Sequence, residues 1–347
     1  MTAAPVPWSR FWAVLLTALT LAALAAGAVL AAVSLGAKAG PEKSVRAIPS
    51  RLGFWAADSF LHVQVPDRAL VDANSASWTG QLFNLAWAGL GVNYEYWTAP
   101  IYRANRLTPT ATVRIANSGK VITIPFIPAF RPDDQADHQI AIIDYSTGCD
   151  YEFQQFDPHD LTANAEATYH AATGTGIHAN DAGATGSDIS LLGGLITPRD
   201  IASGSIRHAL RYATPINAPT FVAPASRSDG THVGGIPEGQ LMRLDPGLDL
   251  RQFDLTPFQR MVAVALQRYG AYDADSAGAF VLYAENTIDG ARYSRPISPL
   301  PRDLIAHLQF LVVKHPTAAV QPDSNHDSSC NQQHFANVRS TGPARHR

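Results

Sequence analysis

Charge is scarce in this chain: Asp, Glu, Lys and Arg make up 16% of its 347 residues, and 26 cations stand against 29 anions. A dedicated nucleic-acid binder is excluded on that ground, because neutralising a phosphate backbone needs clustered Lys and Arg. Long hydrophobic runs are also missing, except for one, which excludes a multi-pass membrane protein. The composition is neither collagen-like, nor that of a coiled coil, nor that of a wholly disordered chain. The common catalytic motifs are absent too. No G-x-x-x-x-G-K-[ST], G-x-S-x-G or H-E-x-x-H occurs, so a P-loop, a nucleophile elbow and a zincin helix are not encoded.

The single apolar run is uncharged from 11 to 37 and is preceded by Arg10 alone. As a helix it would span roughly 40 Å, enough for a hydrocarbon core of ~30 Å. Ala37-Lys38-Ala39 offers an A-x-A cleavage site. Residues 1–39 are therefore expected to be a signal peptide or an uncleaved membrane anchor, and the protein extracellular or displayed on the cell surface. Cys149 and Cys330 are the two cysteines; in an exported chain they can pair, although Cys330 lies in a polar stretch that need not reach Cys149. His326, Cys330 and His334 would share one face of a helix as soft metal ligands, but the segment has poor helix propensity and reads as tail.

A linker is expected over 40–55, one domain over 56–315, and a disordered polar tail over 316–347. Gly and Pro are scattered throughout, at 25 and 24, which predicts many turns. Alternation over 110–115 and 121–127 around Asn117-Ser118-Gly119 predicts a hairpin, and 139–144 with 149–155 around Gly148 a second. Strands are also expected over 189–196, 206–212 and 279–285. Two helices are punctuated clearly. Thr197-Pro198 with Asp200 and Gly204 marks a short one; Thr256-Pro257 with Gln259 opens a longer one whose stripe is Val262, Ala265, Leu266 and Tyr269. The expected fold is mainly β, a jelly-roll or lectin-like β-sandwich with a few short peripheral helices.

Candidate chemistry rests on acids and histidines near strand ends: His138, Asp144, Glu152, His208 and Asp275. His208 would be mid-strand, where a polar side chain needs a partner. His138, Glu152, His208 and Asp275 are expected to meet in one groove, with an acid for proton transfer and a histidine to orient it or bind substrate. Asp273 and Asp275 match the start of a calcium loop, but Ala277 and Ala284 stand where an EF-hand needs ligands. A looser calcium site is what remains. Ser228-Asp229-Gly230 reads as a turn. Trp78, Trp87, Trp97, Tyr94 and Tyr96 are either core or, if exposed, a sugar-stacking platform.

Several of these residues recur together. Asp137-His138, Ile143-Asp144, Thr147-Gly148 and Tyr151-Glu152-Phe153 come first, then Ile206, His208-Ala209-Leu210, Ser228-Asp229-Gly230, Leu244-Asp245-Pro246 and Ala265-Leu266-Gln267 through Tyr269-Gly270-Ala271-Tyr272 and Asp275. In this order, over about residues 98–285, the chain resembles a family of secreted actinobacterial β-sandwich proteins of unassigned activity. The resemblance implies compartment and fold more than function, and the chain departs from it over 162–188, where a substrate-facing loop is expected to differ. The function expected from the whole reading is action on an envelope or environmental polysaccharide, as a glycosidase or lyase. The alternative is a non-catalytic glycan-binding or cell-surface module on the same fold.

Overall fold

The computed structural model describes residues 54–178 and 183–312, with 314, 315, 320 and 330. The apolar run at 11–37, the cleavage site, most of the 40–55 linker and nearly all of the tail lie outside the described residues.

In chain order the elements are β1 (Leu70–Val71), helix α1 (Ser75–Leu85), β2 (Gly91–Asn93), β3 (Ile101–Ala104), β4 (Thr110–Ile115) and β5 (Val121–Pro125). There follow β6 (Ile140–Asp144), β7 (Cys149–Gln154), β8 (Thr162–Ala163), β9 (Ala165–His170), helix α2 (Pro198–Ser203), β10 (Leu210–Thr214), β11 (Asn217–Phe221) and β12 (Ile236–Glu238). The last are β13 (Leu241–Leu244), helix α3 (Pro257–Arg268), β14 (Ala271–Ser276), β15 (Val281–Tyr283), helix α4 (Arg302–Ile305) and β16 (Leu308–Val312). The protein is mainly β.

Both predicted hairpins form, β4 with β5 and β6 with β7, each antiparallel. Both predicted helices start with complete capping boxes, at Thr197 and Thr256, each followed by proline in the first turn. Helix α1 is not foreseen by the sequence pattern; it takes Trp78 out of the supposed aromatic cluster and buries it edge-on against Phe310 at 5.5 Å.

Period-two alternation decides the layers. A seven-stranded sheet runs β1-β16-β13-β14-β10-β15-β2, and a four-stranded sheet runs β3-β6-β7-β9. One face of the larger sheet, through Leu210, Tyr212, Met242, Leu282 and Phe310, packs on α1 and α3. Its other face, through Ala213, Leu241, Tyr272 and Tyr283, packs on Ile101, Ala141, Ile143 and Ala167 of the smaller sheet. The far side of the smaller sheet, through Ile140, Ile142, Tyr151 and Phe153, covers Val113, Ile122 and Ile124 of the three-stranded sheet β5-β4-β8. Strand β6 is thus buried on both faces, which is why it reads Ile-Ala-Ile-Ile without alternation. The disulfide Cys149–Cys330 spans 181 positions and joins the tail to this last core. Cys330 is therefore no thiolate ligand in a metal face. The sheets are open, and β10–β14, β15–β2 and β3–β6 run parallel.

Two expected strands are corrected. Residues 189–196 make only single bridges, Ile177 to Ile189 and Ile196 to Ala284, because Glu152 takes the amides of Leu191 and Leu192 that a ladder would need. The strand expected over 206–212 starts at Leu210, since the amide of Ala209 is spent on the carbonyl of Leu61. His208 therefore precedes the strand.

Helix α3 buries Phe258, Val262, Ala265 and Leu266. Leu266→Ala is expected to cost roughly 2–5 kcal/mol, read as a shift in the denaturant midpoint at unchanged slope; a loss under ~0.5 kcal/mol would mean the stripe carries no core contact.

Candidate active site

The polar residues that matter come from the two facing sheets. In β7, Cys149, Tyr151 and Phe153 turn to one core, so Asp150 and Glu152 turn to the layer between the sheets. Glu152 is fully buried. Its carboxylate accepts from the Ser190 hydroxyl and from the amides of Leu191 at 2.7 Å and Leu192 at 3.2 Å. Burial, and then the adjacent Glu152, push Asp150 well above the usual carboxylate range; burial raises Glu152 too, against the pull of Ser190 and the two amides.

Opposite them, Arg211 projects from β10 with 2% of its surface exposed. Its guanidinium lies 4.2 Å over the Tyr283 ring. Among the described residues its Nε and Nη2 find no hydrogen-bond acceptor. Burial lowers its pKa, while Tyr283, Asp275 and Glu152 oppose the shift. A charged residue in a strand buried on both faces is costly unless opposite charges surround it.

A register slip brings Asp275 to this cation. Strand β14 pairs Tyr212 with Asp273 but Ala213 with Asp275, so Ala274 is an extra residue in the ladder. Such a bulge re-aims the following side chain, here onto the Ala213 and Arg211 face. Asp273 stays on the other side, where Asn217 Nδ2 donates to it at 3.1 Å and to Glu238 at 3.3 Å. Glu238, at the end of β12, is pushed up to about 10 by burial, by a hydrogen bond with Asp229 and by the charge of Asp273. Asp275 is pushed up to about 7 by burial and by Asp229, against the pull of the Gly186 amide and Arg211. That amide donates to Asp275 at 3.0 Å.

Gly186 is required where it stands. A Cβ there would come within 2.7 Å of the Asp229 carboxyl, so only glycine lets Asp229 and Asp275 close on the same loop. The loop is pinned from three sides. Ser187 donates to the Ala274 carbonyl at 2.7 Å. Asp188 pairs with Arg227 at 2.8 Å and accepts from the Ser226 hydroxyl at 2.6 Å. Asp229 is exposed and Asp137 half-buried; Asp137 is raised by burial and then by the charge of Asp229. These two form the solvent end of the cluster.

Of the sequence-predicted residues, Glu152 and Asp275 both border Arg211. Glu152 is buried scaffold and not the water-facing carboxylate expected of a groove. His138 is exposed, has a backbone φ of 40°, and lies with Nδ1 3.0 Å from the Asp133 carbonyl; it adjoins Asp137 at the solvent end. Asp144 caps the β6–β7 turn, accepting from the Ser146 amide at 2.8 Å, at the other end of that hairpin from His138. His208 pairs with Asp200 at 3.5 Å, the acid of the α2 capping box.

The His208–Asp200 pair has its own signature. Burial alone would lower His208, but the hydrogen bond and charge of Asp200 raise it on balance; Asp200 in turn is lowered, His208 overcoming its burial. The histidine's contribution to stability is complete below its unfolded pKa of about 6.5 and fades as pH rises through the higher folded value. The aspartate's contribution holds above its unfolded pKa of about 3.9 and fades as pH falls through its lower folded value. The stability gap between the native chain and His208→Gln is therefore expected to be wider at about pH 5.5 than at about pH 8. Urea midpoints at the two pH values measure it, and an equal gap at both would contradict the pair.

Sequence reasoning missed Arg211, Asp150, Glu238 and the role of Asp229. The signals were an Arg in the apolar strand Leu-Arg-Tyr-Ala-Thr, and a paired Asp-x-Glu in Cys-Asp-Tyr-Glu-Phe. Asp229 carries no such signal, because its turn chemistry masks it. Asp273 and Asp275 lie on opposite sides of the bulge, unlike successive ligands of a loop, and no group of three or more His, Cys, Asp or Glu among the described residues is arranged for a metal ion. Cavities of about 440 and 670 Å³ lie elsewhere on the surface, the smaller reaching Gly239 beside Glu238. Among the described residues no helix is long and apolar enough to cross a membrane. Comparison with protein-family models, curated proteins and solved structures finds no match to this chain.

Proposed function

We propose that the protein is an exported glycoside hydrolase acting on an envelope or environmental polysaccharide, with Asp275 and Asp229 as its reacting acids. The observation that carries this reading is the pairing of the two around Gly186. Asp275, held near neutrality, stands by an exposed carboxyl, and both are braced from behind by Arg211 and Glu238. Hydrolysis of a glycosidic bond needs a carboxyl that still holds its proton beside one that can activate water or attack.

In the step we envisage, Asp275 gives its proton to the leaving oxygen as the glycosidic C–O bond breaks. The oxygen of water bonds to the anomeric carbon and its proton passes to Asp229. Solvent returns both carboxyls to their starting states. Glu238 is a positioning residue: its buried carboxyl, pushed up to about 10, neighbours Asp229 and is itself held by Asn217 at 3.3 Å. Export through the apolar segment at 11–37 and the resemblance to secreted actinobacterial proteins belong to the same reading. So does the sandwich: the stacked four- and seven-stranded sheets serve it as a two-sheet scaffold of lectin-like kind.

A non-catalytic glycan-binding module is the second reading, favoured by Trp87, Tyr96 and Trp97, which are 82%, 59% and 46% exposed. The full chain, purified in detergent, is to be assayed for new reducing ends on a panel of polysaccharides. Release that vanishes in Asp275→Asn and in Asp229→Asn supports hydrolysis. Binding without release, abolished by Trp97→Ala and not by Asp275→Asn, supports the module instead.

A further inference from the structure

We infer that the loop at 93–98 is a second, non-catalytic sugar-binding site, which holds a long polysaccharide away from the reacting acids. The inference rests on the reading of the protein as one that acts on polysaccharide, and it draws nothing from Asp275 or Asp229. The loop follows β2, an edge strand of the seven-stranded sheet. Tyr96 and Trp97 are exposed on it and Trp87 is exposed just before the same strand, whereas Trp55 and Trp78 are buried. The fold thus hides two of its described tryptophans and leaves in water the two at this edge.

These rings do not sit on a slack segment. The Tyr94 carbonyl accepts from the Thr287 amide at 3.1 Å, and the Ala99 carbonyl from the Asn286 amide at 3.2 Å. The buried side chain of Asn286 donates to the carbonyls of Glu95 at 3.3 Å and Thr98 at 2.9 Å. Asn93 Nδ2 donates to the Trp97 carbonyl at 3.3 Å, and Thr98 Oγ1 to the Ala284 carbonyl at 2.8 Å. Trp97 is held by these ties at a φ of 57°, a conformation that a bulky side chain rarely takes. A ring fixed beforehand loses little freedom on binding.

A sugar matches what the loop displays. Its C–H face stacks on an aromatic ring, and its hydroxyls donate to a carboxylate. Glu95, exposed between Tyr94 and Tyr96, is the carboxylate of the loop. The acids behind it are engaged: Glu285 with Arg103 at 3.4 Å, and Asp289 with the amides of Ile101 at 3.0 Å and Ala291 at 2.7 Å. Arg292 and Arg295 are exposed on the segment whose Tyr293 ring meets Tyr94, and they offer donors to sugar oxygens. A lipid surface suits the loop less well, because a carboxylate set among the rings would lose its water.

The site is separate from the acids. Paired positions run Asp275, Ala213, Val281 and Gly91 across β14, β10, β15 and β2, so Gly91 stands three strand spacings, ~14 Å, from Asp275. Asn93 lies further along, opposite Tyr283, and the loop starts there. A long chain reaches both sites at once, and a disaccharide reaches one.

The test uses the full chain in detergent with dextran, xylan, arabinogalactan and hyaluronan, each as polymer and as disaccharide, read by calorimetry and by release of reducing ends. At least one polymer is expected to bind, and Trp97→Ala and Tyr96→Ala are each expected to weaken it about tenfold at unchanged melting temperature. Trp97→Phe, which keeps a ring, is expected to stay within about threefold of the native chain, and Asp275→Asn within about twofold. On a polymer that is cleaved, Trp97→Ala is expected to raise KM and leave kcat, with kcat/KM on the disaccharide unaltered. Polymer binding indifferent to both alanine variants would overturn the inference, as would an equal loss on the disaccharide, which would put Trp97 at the reacting bond. Failure of every polymer to bind would overturn it too, while cleavage of the disaccharide would then leave hydrolysis standing. Loop-dependent binding without any turnover would keep this site and overturn hydrolysis. Trp97 emission quenched by vesicles of brominated phosphatidylcholine, with no polymer bound, would give the loop to a lipid surface and overturn the sugar.

Discussion

Asp275→Asn is expected to lower glycan turnover by about 10²–10⁴-fold, the usual scale for removing a positioned proton donor. The same change is expected to raise the melting temperature at about pH 8 and leave it nearly unaltered at about pH 4. The sign follows from the direction of the shift. Burial and Asp229 push the Asp275 carboxyl up to about 7, above its unfolded range, so the folded state binds more protons between the two values. Stability is therefore lost as pH climbs through that window, and an amide, which never ionises, escapes the loss. In the native protein the activity that depends on the protonated form is expected to fall as pH rises through about 7. Parallel pH profiles of kcat/KM and of Tm measure both effects. A variant that retains turnover, or that melts earlier at alkaline pH, would remove Asp275 from its role.

Glu152→Ala should act on the fold instead. The Glu152 carboxylate satisfies the Ser190 hydroxyl and two backbone amides, neighbours Asp150 and offsets the charge of Arg211. Removing it takes a counter-charge from the buried Arg211 and strands two donors, the Ser190 hydroxyl and the Leu191 amide, while the Leu192 amide keeps Ser190 Oγ at 3.0 Å; the expected cost is about 3–5 kcal/mol. Glu152→Gln keeps the shape and part of the hydrogen bonding, so its cost should be smaller, with the remaining loss traced to Arg211. Denaturant unfolding gives the ranking directly. A Glu152→Ala loss below about 1 kcal/mol would mean that water replaces the carboxylate, and that residues 190–192 do not depend on it.

Elements whose information sits within a few neighbouring residues are legible in the amino-acid sequence. The Asn117-Ser118-Gly119 and Gly148 hairpins, the two proline-led capping boxes and the apolar stripe of α3 all form where alternation and capping place them. Glu152 and Asp275 are visible there too, as acids inside otherwise apolar or turn-bounded segments. Their roles are not. Strand β14 is hidden because Asp273 and Asp275 look like loop residues, since acids are depleted in strands. The segment at 189–196 looks like a strand because its apolar content says nothing about where its amides will be spent.

The convergence itself belongs to no local stretch. Arg211 meets Glu152 because two sheets stack face to face. Asp275 turns toward Arg211 because one residue bulges out of β14. Asp229, an ordinary turn aspartate in sequence, reaches Glu238 only because Gly186 of a different loop leaves room for it. Periodicity and capping are properties of neighbours along the chain, and a sequence carries them openly. Stacking, register slips and the close approach of two loops are set by the packing of elements far apart in the chain, so the charge balance of the site exists only once the whole domain has folded.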